Sequence, residues 1–540
     1  MKMSVPVRIA LIFLLLISVP YLIAFIAGAA THTFGGFLLN PLDGNSYLAK
    51  MYQGWRGDWR FTLPFSKDPG NGAYLYTFYL ALGHLARWLG TSIIIVFHLA
   101  RLSAAVILIV MLWKFFQAIL PSEGEVVPVF ALALLGLGMG WLGFAFGLVT
   151  SDLWVAEAYP FLAAYVNPHF ALSLSLMVWL LISGYRAIEE NQEIESKLWT
   201  ETLLTVVLAA WLGSMSPFSL ILVLGTLAGM ALWEFATILL SKRRSPEAVF
   251  SVVGKLRMNS GILRLLRQAF WIALGGLPPM LYAFNAVRQD AILNAWNYQN
   301  TTLTPPVWNL ALAFSPALLL AIPGFWQAVQ KGGRAGRLLV VWVGLAVMLI
   351  YMPLGLQRRF LTGLFIPLAA LAGYGLNFLE QRWPSSRKKI ITLVFLLALP
   401  STVLVLLIGQ FGVIRRDPLF FLERREAQAL EWIEMNTPAH ALILASPRLG
   451  MFLPARTGRR VVYGHPFETV NTSVEEKAVN EFFVDVAQNP RAARQFLDEK
   501  GVDYILFIPL ASNHADISSV PGLEVVYDLD GALIYRVKTP

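Results

Sequence analysis

Asp43 is the first residue in the chain whose setting invites chemistry. It stands in Asn40-Pro41-Leu42-Asp43-Gly44-Asn45-Ser46-Tyr47, shortly after a long apolar run. A carboxylate there can act as a general base, taking the proton from a hydroxyl as its oxygen attacks a substrate. It can equally cap a helix. Tyr47, Leu48, Met51, Tyr52 and Trp55 follow at helical spacing, and a first turn favours a carboxylate. A second acidic group, Asp152 and Glu157, precedes Tyr159-Pro160 and Asn167-Pro168-His169. These acids could position a second substrate or share a divalent cation with Asp43, or they are ordinary solvated loop acids. His169, beside a proline at a helix start, is either a cap or a ligand contact. Gln357-Arg358-Arg359-Phe360 offers two guanidinium forks, which suit phosphate oxygens; lipid-headgroup anchoring is the plainer role. Near the C-terminus, Tyr463-Gly464-His465-Pro466-Phe467-Glu468 places a histidine and an acid in a loop that could roof a site.

These groups sit between apolar blocks. Of 540 residues, 57% are hydrophobic and 14% charged, whereas a soluble domain carries about 25% charged residues. Ile9 to Ala30, Ile93 to Phe116, Val127 to Val149 and Ile390 to Phe411 each run for about 20 residues, enough for a hydrocarbon core of roughly 30 Å. Spans are expected near 9–30, 93–117, 127–149, 169–186, 200–213, 216–240, 268–286, 306–330, 336–354, 359–378 and 389–412. The fold class is therefore an α-helical polytopic membrane protein of about 11–13 transmembrane helices. Residues 73–89, with His84 and Arg87, are expected to lie in the interface or re-enter rather than cross. Lys2 and Arg8 give the N-terminus the look of a signal peptide, but the apolar run continues past Pro20 to Ala30, so a retained first helix is expected.

The charged residues return at about Arg415. Domains are accordingly placed at 1–414, membrane-embedded with outer loops 31–72 and 150–168, and at 415–540, a small soluble α/β domain. The tail alternates a helix over 423–436, a strand over 440–446, helices over 474–487 and 490–500, a strand over 502–509 and a hairpin turning at Asp530-Gly531. The net charge of +9 reads as basic cytoplasmic loops rather than nucleic-acid binding. Lys242, Arg243, Arg244, Lys255, Arg257, Arg264 and Arg267 face one acid, Glu247, in loop 241–267. That bias puts the N-terminus in the cytoplasm and the tail outside the cytoplasmic membrane. With no cysteine, neither a disulfide framework nor a Cys metal site exists. Gly136, Gly138 and Gly140 fall inside a span and form no nucleotide-binding fingerprint, which disfavours a soluble nucleotide-sugar donor.

Leu42-Asp43-Gly44-Asn45-Ser46-Tyr47, then Gly57-Asp58-Trp59 and Pro69 to Tyr79, resembles the first outer loop of type C (GT-C) glycosyltransferases, among them the protein mannosyltransferase and aminoarabinose transferase families. The order of parts matches over nearly the whole chain. The resemblance implies transfer of a sugar from a polyprenyl-phosphate donor to a lipid, glycan or protein acceptor, with inversion. It implies Asp43 as the catalytic carboxylate, Asp152 or Glu157 as a second acid, and Arg358 with Arg359 on the donor phosphate. His169, His465 and Glu468 are possible substrate contacts, and a divalent cation, Mg or Mn, is compatible. The sequence departs from the pattern at Gly44, where many relatives carry a second acid. Two other readings fit the same chain: a transporter or flippase of lipid-linked sugars, which would need mid-span charges and repeated halves, and a catalytically inactive assembly protein.

Overall fold

The computed structural model describes residues 3–28, 31–189, 198–242, 260–353, 355–509 and 517–538. Residues 243–259, with Arg243, Arg244, Glu247, Lys255 and Arg257 of the basic loop, lie outside the described residues, as do Lys2, Ala30 and Leu354. Among the described residues eight helices are long and apolar enough to cross a membrane, or up to nine if one bent pair is a single span. Long helices such as Val5–Gly28 are apolar on all sides, and Leu15, Leu22 and Ile26 on it point outward, as lipid-facing residues do.

The expected spans exceed that number for local reasons. The stretch 306–330 is two helices, Val307–Phe314 and Ala317–Lys331, bent by 86°. In Leu198–Met215 the apolar part, Trp199–Met215, is shorter than a full crossing. Phe365–Arg382 is buried from Phe365 to Leu376, but Asn377, Glu380, Gln381 and Arg382 shorten its apolar length.

Chain contacts gather into two compact units. One comprises Met1–Ser18, Arg101–Tyr282 and Thr302–Leu407; the other comprises Val19–Ala100, Ala283–Thr301 and Ile408–Pro540. The first unit is helical. Within it the helix Glu123–Leu135 stops at Gly136 and resumes as Gly140–Phe144. A break among apolar helices needs new partners for its amides. Leu137 N–H donates to the Ala398 carbonyl at 3.3 Å, and Met139 N–H to the Leu312 carbonyl at 3.1 Å. Trp141 N–H reaches Ser401 Oγ at 3.1 Å. Arg101, also buried, donates to the carbonyls of Ile17 at 3.1 Å and Ala164 at 3.0 Å.

The second unit holds a five-stranded sheet, order β4-β3-β5-β7-β6. Its strands are β3 Leu442–Ala445, β4 Arg460–Val461, β5 Tyr504–Phe507, β6 Leu523–Leu529 and β7 Ala532–Val537. β4, β3 and β5 are parallel, and the β6–β7 hairpin is antiparallel. Asp530 and Gly531 turn that hairpin with φ of 51° and 78°, the left-handed pair a tight hairpin demands. In β3, Ile443 and Ala445 enter one core and Leu442 and Leu444 the other, the period of two that an apolar strand buried on both faces must show. A separate pair, β1 His32–Phe34 and β2 Phe421–Glu423, joins the stretch after the first helix to the tail. The expected tail helices appear as Arg424–Asn436, Thr472–Asp485 and Pro490–Lys500.

Sequence reasoning does not foresee one further tail helix, Pro447–Thr457, because Gly450 and Pro454 interrupt its pattern. It packs on the outer-loop helix Pro41–Arg56: Ala49 shares a core with Phe452 and Leu453, and Leu48 and Met51 share one with Ala455. Leu48 and Met51 on the apolar face of Pro41–Arg56 are thus covered by protein within this unit, while Trp55 stays exposed. On the same helix Gly54 meets the short helix Thr77–Leu89. A Cβ on Gly54 would lie 2.0 Å from the Leu80 carbonyl oxygen, and one on Gly83 would lie 1.9 Å from that of Met51. The two backbones touch, and only glycine permits it. Thr77–Leu89 has 13 residues, a rise of about 20 Å and too short to cross alone.

Candidate active site

Asp43 occupies the first turn of Pro41–Arg56, which Pro41 starts at its first helical position. The N-cap residue Asn40 makes no side-chain cap hydrogen bond to this helix and is left-handed at φ 51°. The Asp43 side chain remains 51% exposed, with Oδ1 4.0 Å from His465 Nε2. That distance is an electrostatic approach, longer than a hydrogen bond. A Cβ on Gly44 would fall 2.3 Å from the ring of buried Phe37. The position where a second acid would stand in similar transferases therefore has no room for one.

The loop after β4 carries His465 and Glu468 to this helix. His465 is 1% exposed. Its Nδ1 accepts the backbone N–H of Phe467 at 3.0 Å and of Glu468 at 3.1 Å. Nε2 has no hydrogen bond of good geometry and faces Asp43 and the Leu42 carbonyl. Burial, with Lys50 acting in the same direction, holds the ring below the ordinary imidazole value, against the upward pull of Glu468, Asp43 and Leu42.

Glu468 Oε1 accepts from Lys50 Nζ at 2.9 Å and from Ser46 Oγ at 2.9 Å. Burial favours its neutral form, but Lys50 and His465, with the two hydrogen bonds, keep the carboxyl below its usual range. Lys50 is completely buried, and the rings of Tyr76, Tyr47 and Phe61 surround its ammonium at 4.4, 5.2 and 5.4 Å. The loop is also clamped from the other side. Gln299 donates to the Thr469 carbonyl at 2.6 Å and accepts from Asn471 N–H at 3.0 Å, while Asn300 donates to the Phe467 carbonyl at 2.8 Å.

The other candidates belong to the helical unit. Asp152 is fully buried in the short turn Ser151–Leu153. Its Oδ2 accepts the Gly140 N–H at 2.9 Å, at the start of the resumed helix, and Oδ1 accepts the Thr150 hydroxyl at 2.6 Å. Burial raises its carboxyl pKa, against these hydrogen bonds and one from Ser401. Glu157 is buried too, with Oε1 3.3 Å from Arg359 Nη1; its carbonyl accepts Gly363 N–H at 2.9 Å. Arg359 keeps 39% of its side chain exposed. Arg358 lies over the Trp154 ring, 4.6 Å from its centroid, on the turn Gln357–Leu361. His169 is half-buried in the first turn of Pro168–Glu189, its ring 4.0 Å from that of Phe170.

The structure thus joins Asp43 with His465, the His465 loop with Lys50 through Glu468, and Glu157 with Arg359. Lys50, Ser46, Gln299 and Asn300 were missed in the sequence. The signal for the first two was a lysine on the apolar face of an amphipathic helix, four residues after a serine. Among the described residues no group of three or more His, Asp or Glu side chains could hold a metal ion. His465 does not fit a ligand role: its Nδ1 already accepts two amides, so Nε2 carries the ring proton.

No protein-family model matches the sequence, and no curated protein does. The fold is similar to the apo oligosaccharyltransferase of Archaeoglobus fulgidus, with 13% identity, a TM-score of 0.57, and coverage of 94% of this chain and 69% of that one. It is similar to that organism's AglB in complex with an inhibitory peptide and a dolichol-phosphate, at 11% identity and a TM-score of 0.52, over 97% of this chain and 74% of that one. It is also similar to apo ArnT from Cupriavidus metallidurans, at 12% identity and a TM-score of 0.50, over 96% of this chain and 97% of that one. With these helices and these neighbours, the chain is a multi-pass membrane protein. Its fold is GT-C-like, the architecture of type C glycosyltransferases.

Proposed function

We propose that the protein is a glycosyltransferase that moves a sugar from a polyprenyl-phosphate donor to a hydroxyl of a lipid, glycan or protein acceptor, with inversion. The observation that carries this reading is Asp43, an exposed carboxylate in the first turn of Pro41–Arg56, with His465 Nε2 4.0 Å away. It stands in a fold shared with a transferase described in complex with a dolichol-phosphate. In the proposed step the acceptor oxygen attacks the anomeric carbon while Asp43 takes its proton. The bond from that carbon to the phosphate oxygen breaks, and its electron pair leaves with the phosphate.

Arg358 and Arg359 are proposed to hold the donor phosphate and offset its growing charge. Glu157 then sets the direction of the Arg359 fork, and Asp152, committed to the Gly140 amide, holds its loop in place. His169 is proposed as a sugar contact. In the proposed topology the N-terminus is cytoplasmic, residues 1–414 are membrane-embedded, and residues 415–540 lie outside the cytoplasmic membrane.

The test is purified protein in proteoliposomes, given radiolabelled polyprenyl-phosphate hexoses and pentoses, with bacterial membrane lipid, glycan and peptide acceptors. Labelled acceptor together with free polyprenyl phosphate is expected. Intact donor moved across the bilayer, with no labelled acceptor, would favour the flippase reading instead.

A further inference from the structure

His465 is buried and Asp43 is exposed, yet the histidine's Nε2, which makes no hydrogen bond of good geometry, faces that carboxylate beside the Leu42 carbonyl. Both amides at Nδ1 are donors, so that nitrogen must accept. A neutral ring can accept there only in the tautomer with its proton on Nε2. The polar groups around the ring preserve this state. Burial is the main opponent of a second proton and Lys50 acts with it, against the upward pull of the Glu468 and Asp43 carboxylates and the Leu42 carbonyl, and the rings of Phe65 and Phe467 pack at 5.4 and 6.1 Å. The loop cannot easily swing away. Glu468 ties it to Ser46 and Lys50 on the Asp43 helix, and Gln299 and Asn300 hold its far side.

We propose that His465 is a positioning residue, whose fixed Nε2–H points at Asp43 and sets the direction of its carboxylate for proton removal from the acceptor. A small rotation of the exposed Asp43 side chain turns the 4.0 Å approach into a hydrogen bond. One carboxylate oxygen is then held by His465, and the other is left to face the acceptor hydroxyl. The ring itself is sealed from solvent and acts through Asp43, not on the sugar. The role rests on Asp43 being the base. A misaligned base loses rate without losing donor binding.

The experiment compares wild type, H465A, H465Q and D43N in the proteoliposome assay, with 15N-histidine NMR of the same samples. The Gln side-chain amide presents an N–H close to where Nε2–H stands, so it restores the donor without the ring. Expected are a loss in kcat on the order of 10- to 100-fold for H465A, an unchanged donor KM, and substantial recovery in H465Q. Equal loss in H465A and H465Q, or no loss in either, would overturn the proposal. By NMR the His465 ring is expected neutral with the proton on Nε2, and D43N is expected to shift that resonance. A proton on Nδ1, or a resonance indifferent to D43N, would overturn it even without an activity measurement. Full turnover in D43N would defeat the base reading, and with it the positioning role.

Discussion

Lys50 Nζ lies 2.9 Å from Glu468 Oε1, a contact between residues 418 apart in sequence, with the lysine side chain wholly buried. One ion pair thus fastens the helix that carries Asp43 to the loop that carries His465. Removing one member of a buried pair leaves the other charged and unpaired, at a cost of about 3–5 kcal/mol. Replacing both with apolar groups avoids most of that cost. K50M and E468L should each lower the temperature of half-unfolding in detergent clearly, and the double variant should recover much of the loss. Additive losses in the double variant would show that the two side chains are not coupled.

The pH dependence of stability follows from His465. Burial keeps its folded pKa below the unfolded value of about 6.5. The unfolded chain then binds the proton more readily, so the stability contribution is complete above about pH 6.5 and is lost as pH falls toward the folded value. Glu468, held below its usual value, has its own contribution above about pH 4.5 and loses it at lower pH. Unfolding temperatures of wild type should therefore decline as pH falls below about 6.5, and H465Q should flatten that decline. A wild-type curve that rises on acidification, or one that H465Q leaves unaltered, would contradict the buried neutral ring.

The phosphate role proposed for the arginines is separable from the chemistry proposed at Asp43. Arg359 is oriented by Glu157 and half-exposed, and Arg358 is braced on Trp154. Tryptophan-fluorescence titration with polyprenyl phosphate should give a Kd raised at least about tenfold in R358A/R359A, the loss of charge-assisted bonds worth about 1.5–3 kcal/mol. An unchanged Kd would move these arginines to headgroup anchoring. E157Q should weaken binding less than the double variant, since it frees the fork without removing it.

How far the sequence reaches depends on the range of the signal. Apolar blocks such as Ile93–Ile119 and Arg387–Arg415 are local and were legible, as were the tail strands and the Asp530-Gly531 hairpin. The bend between Val307–Phe314 and Ala317–Lys331 was not read, although Ser315-Pro316 marks the break in the apolar run. Asp43 was legible as a first-turn acid. Its relation to His465 was hidden, because it depends on Pro447–Thr457 docking on the outer-loop helix and on Glu468 meeting Lys50. Asp152 and Glu157 looked alike in sequence; the structure separates them by what each carboxylate holds, a helix amide in one case and an arginine in the other. The departure at Gly44 was plain in the sequence, but the close packing of the Phe37 ring against it is visible only in three dimensions.

The base assignment of Asp43 is tested most directly by D43N, which keeps the shape of the side chain and removes its ability to take a proton. Turnover of a polyprenyl-phosphate sugar would be compared with polyprenyl-phosphate binding in the same preparation. Loss of turnover by a factor on the order of 100 to 10,000, with binding retained, is the expected result. Wild-type turnover in D43N would contradict the assignment.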